Sequence, residues 1–151
     1  MKVLHLVYSG MGGATNLVFS ILEGDKKKLL NQNILFSGPY FFKGNKDRSK
    51  KLNTSFDWVK TYKYLAFMSY ISVLKKLILF KPKIIFLHNY LIVPCLIYKF
   101  FFKNVKIIYV NHKYAKGIDW KDLFNLRFHF YIDEIVVLNK ETLNIYRKKF
   151  N

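Results

Sequence analysis

Acidic residues and cysteines are scarce in this sequence, and both shortages limit what the protein can be. Nine Asp and Glu stand against 26 Lys and Arg in 151 residues, giving a formal net charge of +17 at pH 7. The single cysteine, Cys95, cannot form an internal disulfide or anchor a metal-ligand cluster. The apolar run after Lys2 lacks the length and cleavage site of a secretory signal. We therefore expect one cytoplasmic domain over residues 1–151, without a metal or other cofactor.

The excess of positive charge favours binding to polyanions such as nucleic acids, anionic lipids or phosphorylated small molecules. An AT-rich genome is an alternative source of the lysines, although it does not explain the shortage of acids. Only Arg48, Arg127 and Arg147 carry the planar guanidinium that suits base recognition, and the lysines are spread along the chain. We expect no sequence-specific nucleic-acid binding, and general salt-dependent binding ranks third among the functional alternatives.

Short apolar runs alternate with longer stretches of helical periodicity along the chain. The predicted strands are Lys2–Tyr8, Gln32–Gly38, Lys83–Asn89, Val105–His112 and Glu134–Asn139. The predicted helices are Ala14 to about Leu30, Thr61–Lys81, Tyr90–Lys103, Trp120–Ile132 and Lys140–Phe150. The polar stretch from Pro39 to about Ser55 is predicted to be an exposed loop. This order predicts an α/β fold: a Rossmann-like, doubly wound parallel sheet with helices on both faces.

The apolar stretch Ile84–Phe102 is long enough to cross a hydrocarbon core of about 30 Å as one helix. However, His88 and Asn89 interrupt it, and Pro94 suits the first turn of a shorter helix. The first part of the stretch is rich in β-branched and aromatic residues, and Asn89 is a good N-cap for the shorter helix. A strand followed by a helix is favoured, and a transmembrane helix is the alternative.

Small or polar residues follow every predicted strand. In an open parallel sheet, ligands bind beyond the carboxyl ends of the strands, so these residues mark the candidate site. They are Gly10, Gly12 and Gly13, then Ser37 and Gly38, His88 and Asn89, Asn111 and His112, and Asn139. Turn chemistry also favours Gly, Asn and Ser, so a set of ordinary turns is the alternative.

The segment SGMGGAT joins the first predicted strand to the first predicted helix. Backbone N–H groups at Gly12, Gly13 and Ala14, together with the helix dipole, can bind a phosphate without a basic side chain. The segment departs from the dinucleotide fingerprint, because Thr15 takes the last position and no acidic residue ends the second strand. No P-loop motif is present either. We expect a phosphate cradle, with a structural turn as the alternative.

The histidines differ in position. His112 follows a strand and would face the same crevice as the glycines, where an imidazole can donate to a phosphate or a sugar hydroxyl. A turn histidine without a ligand is the alternative. His88 is similarly placed, and a capping or packing role is its alternative. His5, inside a strand, and His129, in a helix, are expected to have core or surface roles.

A resemblance to a known family rests on four segments: MKVLHLVYSGMGGATNLVFSIL, KPKIIFLHNYLIVPCLIYKFF, VKIIYVNHK and DEIVVLNKETLNIY. Together they resemble the N-terminal half of the GT-B-fold glycosyltransferases of family 4. Members of that family begin with a strand and a glycine-rich loop. A Pro-Asp-hydrophobic-His strand, a strand ending in His and a strand followed by Ser come next. In this sequence, Lys83 replaces the usual Asp and Asn139 the usual Ser.

The resemblance implies a retaining glycosyltransferase whose N-terminal domain mainly holds the acceptor and whose C-terminal domain holds most of the nucleotide-sugar donor. It also implies that His112, the catalytic candidate, contacts the donor sugar. The residues that it places near the donor diphosphate are Gly12, Gly13 and Ala14. The acceptor-side candidates are His88, Asn89 and Asn111.

The family's basic pair and E-x7-E motif belong to the C-terminal domain, which should begin where this sequence stops, at Asn151. We therefore expect this chain alone to be inactive, either as a truncated enzyme or as one that a separate C-terminal glycosyltransferase domain completes. The expected ligands are a nucleotide sugar and a glycan or lipid-linked acceptor.

An anionic membrane surface, on the inner face of the plasma membrane, is a further expected partner, because lysines flank or interrupt an apolar helix. These are Lys60, Lys63, Lys75, Lys76, Lys81 and Lys83. A solvated lysine face on an ordinary helix is the alternative. The alternative for the whole chain is a non-catalytic Rossmann-like module that binds a phosphorylated ligand or a partner protein.

Overall fold

Strands and helices alternate along this computed structural model, which describes residues 1–10, 12–25, 29–61, 66–89, 91–112 and 127–150. The strands in these ranges are Lys2–Tyr8 (β1), Asn31–Gly38 (β2), Ser55–Lys60 (β3), Ile84–Leu87 (β4), Lys106–Asn111 (β5) and Glu134–Val137 (β6). The helices are Gly13–Gly24 (α1), Lys43–Lys51 (α2), Ala66–Phe80 (α3), Ile92–Phe101 (α4) and Lys140–Phe150 (α5). A 3-10 turn covers His129–Tyr131.

The six strands form one parallel sheet in the order β3-β2-β1-β4-β5-β6. The chain runs outward from β1 to β3 and then returns to the other side of β1 with β4. The strand order therefore reverses between β1 and β4, which is where parallel sheets of this kind open a ligand crevice. The predicted doubly wound, Rossmann-like α/β fold is confirmed.

Alternate residues of each strand enter two separate cores, because successive side chains of a strand point to opposite faces. On one face, Leu6 and Leu87 pack in a large cluster with residues of α3 and α4. On the other face, Val7 and Phe36 pack with Phe19 of α1. We call these the α3/α4 face and the α1 face. Helices cover both, as predicted.

The prediction of an exposed loop from Pro39 to about Ser55 is wrong, since this stretch contains α2 and the first residue of β3. The sequence of α2, KGNKDRSKK, has no apolar periodicity. Polar contacts hold this helix instead: Asn45 Nδ2 donates to the backbone oxygen of Ser9 at 2.8 Å. Arg48 donates to two side chains of α1 at 3.0 Å each. The strand β3 pairs with β2 over its whole length.

The first predicted helix is shorter than expected and ends at Gly24 rather than near Leu30. Along the predicted helix Trp120–Ile132, residues 120–126 lie outside the described ranges, and the rest contains only the short 3-10 turn. In contrast, α3 stops before Pro82 as predicted, and Lys81 takes a φ of 54° directly after it. Residues 62–65 of that predicted helix also lie outside the described ranges.

The apolar stretch Ile84–Phe102 forms β4 and α4 rather than a single helix. Pro94 lies in the first turn of α4, where its missing N–H removes no intrahelical bond. The N-cap is Leu91 and not Asn89, whose Oδ1 accepts a hydrogen bond from the Leu91 N–H at 2.9 Å. Within the described ranges, every helix falls short of the length and hydropathy needed to cross a bilayer.

Candidate functional site

The loop between β1 and α1 lies at the carboxyl edge of the sheet, beside the reversal of strand order. Gly12 and Gly13 are exposed, and a Cβ atom added at either position meets no atom of the described chain within 4 Å. The φ of Gly12 is 177°, an extended conformation open to any residue. Neither packing nor strain requires these two glycines, so the space above the start of α1 is open.

The first turn of α1 carries no side-chain cap and no acidic residue. Thr15, which departs from the dinucleotide fingerprint, directs its hydroxyl back to the carbonyl oxygens of Tyr8 and Gly10, at 3.2 and 3.1 Å. This side chain ties the loop to the end of β1. The start of the helix is therefore not capped by a side chain. Its first N–H groups, those of Gly13 and Ala14, lie at the positive end of the helix dipole.

A row of polar side chains crosses the α1 face and ends at the same edge. His88 is buried; its Nε2 lies 3.4 Å from His5 Nδ1, and its Nδ1 lies 2.8 Å from His112 Nε2. His5 Nε2 lies 2.9 Å from Gln32 Oε1, and Gln32 Nε2 donates to Asp25 Oδ2 at 2.8 Å. We call these five residues the histidine row. It links the carboxyl end of β5 to the amino end of β2.

Burial keeps the three imidazoles of the row neutral. Desolvation, followed by repulsion from His5 and His112, lowers the pKa of His88 to about 2. Desolvation lowers the pKa of His5 as well, against an opposing hydrogen bond to Gln32, and it lowers the pKa of the half-buried His112. Each ring therefore carries one N–H and one lone pair near pH 7.

The two asparagine candidates lie on different sides of the sheet edge. Asn89 Nδ2 donates to Ser37 Oγ at 2.8 Å and so joins the ends of β4 and β2. Asn111 is buried, and its amide donates to the hydroxyl of Tyr146 on the α3/α4 face, away from the neighbouring His112. The structure brings Asn89 to the edge where the histidines end, whereas the Asn111 side chain turns to the opposite face of the sheet.

Asn139, another residue at a strand end, has a local role. Its Oδ1 accepts a hydrogen bond from the Thr142 N–H at 2.8 Å, which is the geometry of an N-cap for α5. Glu141 lies in the first turn of that helix, as expected of a partner for the helix dipole.

The sequence alone predicts no chemical role for three members of the histidine row. His5 is expected to lie in the core or on the surface, and Asp25 and Gln32 receive no role. The missing signal is strand register: Val3 of β1 pairs with Ile84 of β4, and local periodicity gives no such pairing. Once the register is known, the alternation of strand side chains places these residues on one face.

A cavity of about 390 Å³ opens at the amino edge of the sheet, opposite the candidate site. Its lining includes Asp25 and Gln32, the far end of the histidine row, and Asn31 and Ser55, which begin β2 and β3.

Metal and thiol chemistry find little support in the described ranges. Among those residues, no group of three or more His, Cys, Asp or Glu side chains is arranged to hold a metal ion. Burial raises the pKa of the Cys95 thiol to about 12, so this thiol is an unreactive part of the core.

Solved structures share this fold over nearly the whole chain at low sequence identity. HepE from Anabaena, in complex with UDP, is 13% identical, with a TM-score of 0.72 over 98% of this chain and 40% of its own. MurG from Acinetobacter baumannii is 11% identical, with a TM-score of 0.67 over 94% of this chain and 42% of its own. UDP-GlcNAc 2-epimerase from Neisseria meningitidis, bound to UDP-GlcNAc, is 13% identical, with a TM-score of 0.61 over 99% and 50%.

This chain therefore spans half or less of the length of each of these proteins. No protein-family model and no curated protein matches the sequence. At such identities the likeness shows the fold alone, which is Rossmann-like and matches one half of these GT-B neighbours. Membership of family 4 and retention of anomeric configuration stay predictions.

Proposed function

We propose that this chain is the N-terminal, acceptor-side half of a retaining glycosyltransferase. The enzyme would transfer a sugar from a nucleotide-sugar donor to a glycan or lipid-linked acceptor. The observation that carries the proposal is the open space above Gly12 and Gly13, at the start of α1 and beside the reversal of strand order. UDP in the HepE structure and UDP-GlcNAc in an epimerase structure support a nucleotide sugar as the ligand.

Each part of the edge has a role in this proposal. The N–H groups of Gly12, Gly13 and Ala14 bind the donor diphosphate, because a helix N-terminus favours negative charge. His112 contacts the donor sugar. Asn89 faces the acceptor, whereas the burial of His88 between two rings makes it a support for His112 rather than a direct contact.

A titration with UDP and UDP-GlcNAc, followed by amide NMR, tests the glycine loop. We expect the amide signals of residues 12–14 to shift, and Gly13→Val to weaken binding at least tenfold by filling the space above the helix. Gly24→Val is the matched control, because Gly24 is also exposed, lies in the same helix and has no atom within 4 Å of an added Cβ. Equal losses in the two variants, or no loss in either, would contradict the phosphate site.

Catalysis is proposed to need a second, donor-binding domain, since this chain spans 40–50% of the similar structures. Incubation of the 151-residue chain with nucleotide sugars and acceptors is expected to give no turnover. Addition of a C-terminal GT-B half that carries E-x7-E is expected to restore transfer. Robust turnover by the chain alone would overturn the need for that half, and the product's anomeric configuration decides retention.

A second candidate function is epimerisation of the sugar rather than its transfer. UDP-GlcNAc 2-epimerase from Methanocaldococcus jannaschii reaches a TM-score of 0.68, a value close to that of MurG. Proton NMR of UDP-GlcNAc with the completed protein separates the two, because epimerisation changes the sugar at C2 without an acceptor. Binding with neither reaction would favour the non-catalytic module.

We also propose that α3 contacts an anionic membrane surface, which suits a lipid-linked acceptor. Phe67 and Leu79 are exposed on this helix with Lys75, whereas Lys76 bonds to Asp57 at 2.6 Å. Of the other candidate lysines, Lys60, Lys81 and Lys83 are exposed, and Lys63 lies outside the described residues. Exposed apolar side chains together with lysines are typical of interfacial helices.

Co-sedimentation with vesicles tests this contact. The chain is expected to pellet with anionic vesicles and much less with neutral ones, and a Phe67→Ser/Leu79→Ser variant should lose most of the binding. Equal and negligible binding to both kinds of vesicle would end the membrane proposal.

A further inference from the structure

The histidine row lies diagonally across adjacent parallel strands. His5 pairs with Phe86, so His88 stands two residues further toward the carboxyl edge. Leu87 pairs with Tyr109, so His112 stands two residues beyond the neighbour of His88. A step of two residues keeps side chains on the same face of the sheet, so all three histidines lie on the α1 face.

One end of the row fixes the direction of every hydrogen bond in it. An ionised carboxylate only accepts, so Asp25 orients the Gln32 amide with its Nε2 toward Asp25 and its Oε1 toward His5. His5 Nε2 must then carry the proton that is donated to Gln32. In a neutral ring this makes His5 Nδ1 a lone pair, which accepts from His88.

The same donor–acceptor rule applies to the next two rings, His88 and His112. His88 Nε2 donates to His5 Nδ1, so His88 Nδ1 is a lone pair and accepts from His112 Nε2. The remaining ring nitrogen, His112 Nδ1, is then also a lone pair, and no residue in the described ranges donates to it. Burial, which lowers the pKa of all three histidines, keeps the rings neutral, as this polarity requires.

We propose that His5 and His88 are positioning residues that hold His112 with its proton on Nε2, so that it offers a ligand only a hydrogen-bond acceptor. Such a histidine accepts from a sugar hydroxyl but cannot donate to a phosphate oxygen. It divides the edge into a phosphate site at the glycine loop and a hydroxyl site at His112. The hydroxyl assignment rests on the proposed function, whereas the proton position does not.

Histidine side-chain ¹⁵N–¹H NMR of the ligand-free chain tests the proton position. All three rings of the wild type are expected to carry the proton on Nε2. Gln32→Lys replaces the acceptor beside His5 with a donor, so it is expected to reverse the row and move the proton of His112 to Nδ1. Gln32→Met, which removes the amide without supplying a donor, is the matched control and should not produce this reversal.

A proton on Nδ1 of any ring in the wild type would overturn the proposal, as would a folded Gln32→Lys variant with His112 unchanged. If that variant does not fold, scalar coupling across the His88–His112 hydrogen bond in the wild type gives the donor directly. Donation by His88 instead of His112 would likewise refute the assignment.

Binding of UDP, UDP-glucose and deoxyfluoro analogues of UDP-glucose tests the hydroxyl site, because fluorine cannot donate a hydrogen bond. The wild type is expected to prefer UDP-glucose to the analogue that lacks the contacting hydroxyl. This preference is expected to fall about tenfold in Gln32→Lys, the value of one hydrogen bond, with UDP affinity unchanged. An unchanged preference in a variant with reversed protons would refute the acceptor role of His112. Absence of any UDP binding would refute the proposed function, while the NMR result would still decide the proton position.

Discussion

The two faces of the sheet are built from the same strands but handle polar groups in opposite ways. Toward α3 and α4, side chains such as Leu6 and Leu87 form one continuous apolar cluster. Toward α1, the neighbouring residues His5 and His88 connect three strands through buried imidazoles. The apolar face gains free energy by excluding water, whereas the other must satisfy every polar group that it buries. We infer that one face chiefly stabilises the fold and the other chiefly serves the site.

The largest effect is expected from Leu87→Ala on the α3/α4 face. Leu87 is fully buried, so the lost contacts and the remaining cavity should lower the free energy of unfolding by about 2–5 kcal/mol. Urea denaturation measures the change. Leu79→Ala is the matched control, because Leu79 is exposed on α3 and should change stability by less than about 0.5 kcal/mol. Similar losses in the two variants would contradict this account of the core.

The second-largest effect is expected at low pH, which should destabilise the α1 face. The row's histidines have lowered pKa values when folded, so the unfolded chain binds protons first as the pH falls below about 6.5. The contribution of these histidines to the free energy of unfolding is thus fully present above that pH and is lost as the pH falls below it. From pH 7 to pH 5, each histidine that stays neutral in the folded chain lowers the free energy of unfolding by about 2 kcal/mol.

Denaturation of the wild type and of His88→Phe at both pH values measures the contribution of His88. The variant should lose less stability on acidification by roughly that amount. A wild type and a His88→Phe variant with the same pH dependence would refute the claim that His88 is buried neutral.

A smaller effect is expected for the polar pair that the α3/α4 face does contain. The Asn111 amide donates to the Tyr146 hydroxyl inside the apolar cluster. Tyr146→Phe removes this acceptor and keeps the ring, so it should lower the free energy of unfolding by about 1 kcal/mol. Thermal unfolding measures the change, and a gain in stability would show that the apolar face does not need the pair.

The smallest effect is expected at the rim of the same face. Lys76 Nζ and Asp57 Oδ1 are 2.6 Å apart, but their side chains remain 37% and 41% exposed. Asp57→Asn should therefore change stability by less than about 1 kcal/mol, and salt should reduce the difference further. Denaturation at low and high ionic strength measures both. A larger, salt-independent loss would mean that this pair behaves as a buried one.

The sequence predicted the alternation of strands and helices because the strands are buried on both faces and read as apolar runs. KVLHLVY and KIIYVN are such runs, and both strands lie where they were predicted. The glycine loop, His88, Asn89 and His112 were predicted as site residues because they directly follow strands in the chain, and the structure places them at one edge.

The remaining features depend on contacts between distant segments. Polar bonds to Ser9 and to α1 hold α2, and such bonds leave no periodicity in the sequence. Asn111 and His112 are adjacent in sequence, yet alternation along β5 sends them to opposite faces. The row beneath His112 needs the β1–β4 register, which joins residues 3 and 84.

That register also has a consequence for folding. The pairing of β1 with β4 closes a long stretch of chain, whereas β1 with β2 and β4 with β5 join segments much nearer in sequence. Long closures cost more entropy, so we expect the two halves of the sheet to assemble first and to join at this seam last. The candidate crevice lies on the seam. A polypeptide leaving the ribosome is therefore expected to complete this crevice only at the final step of folding.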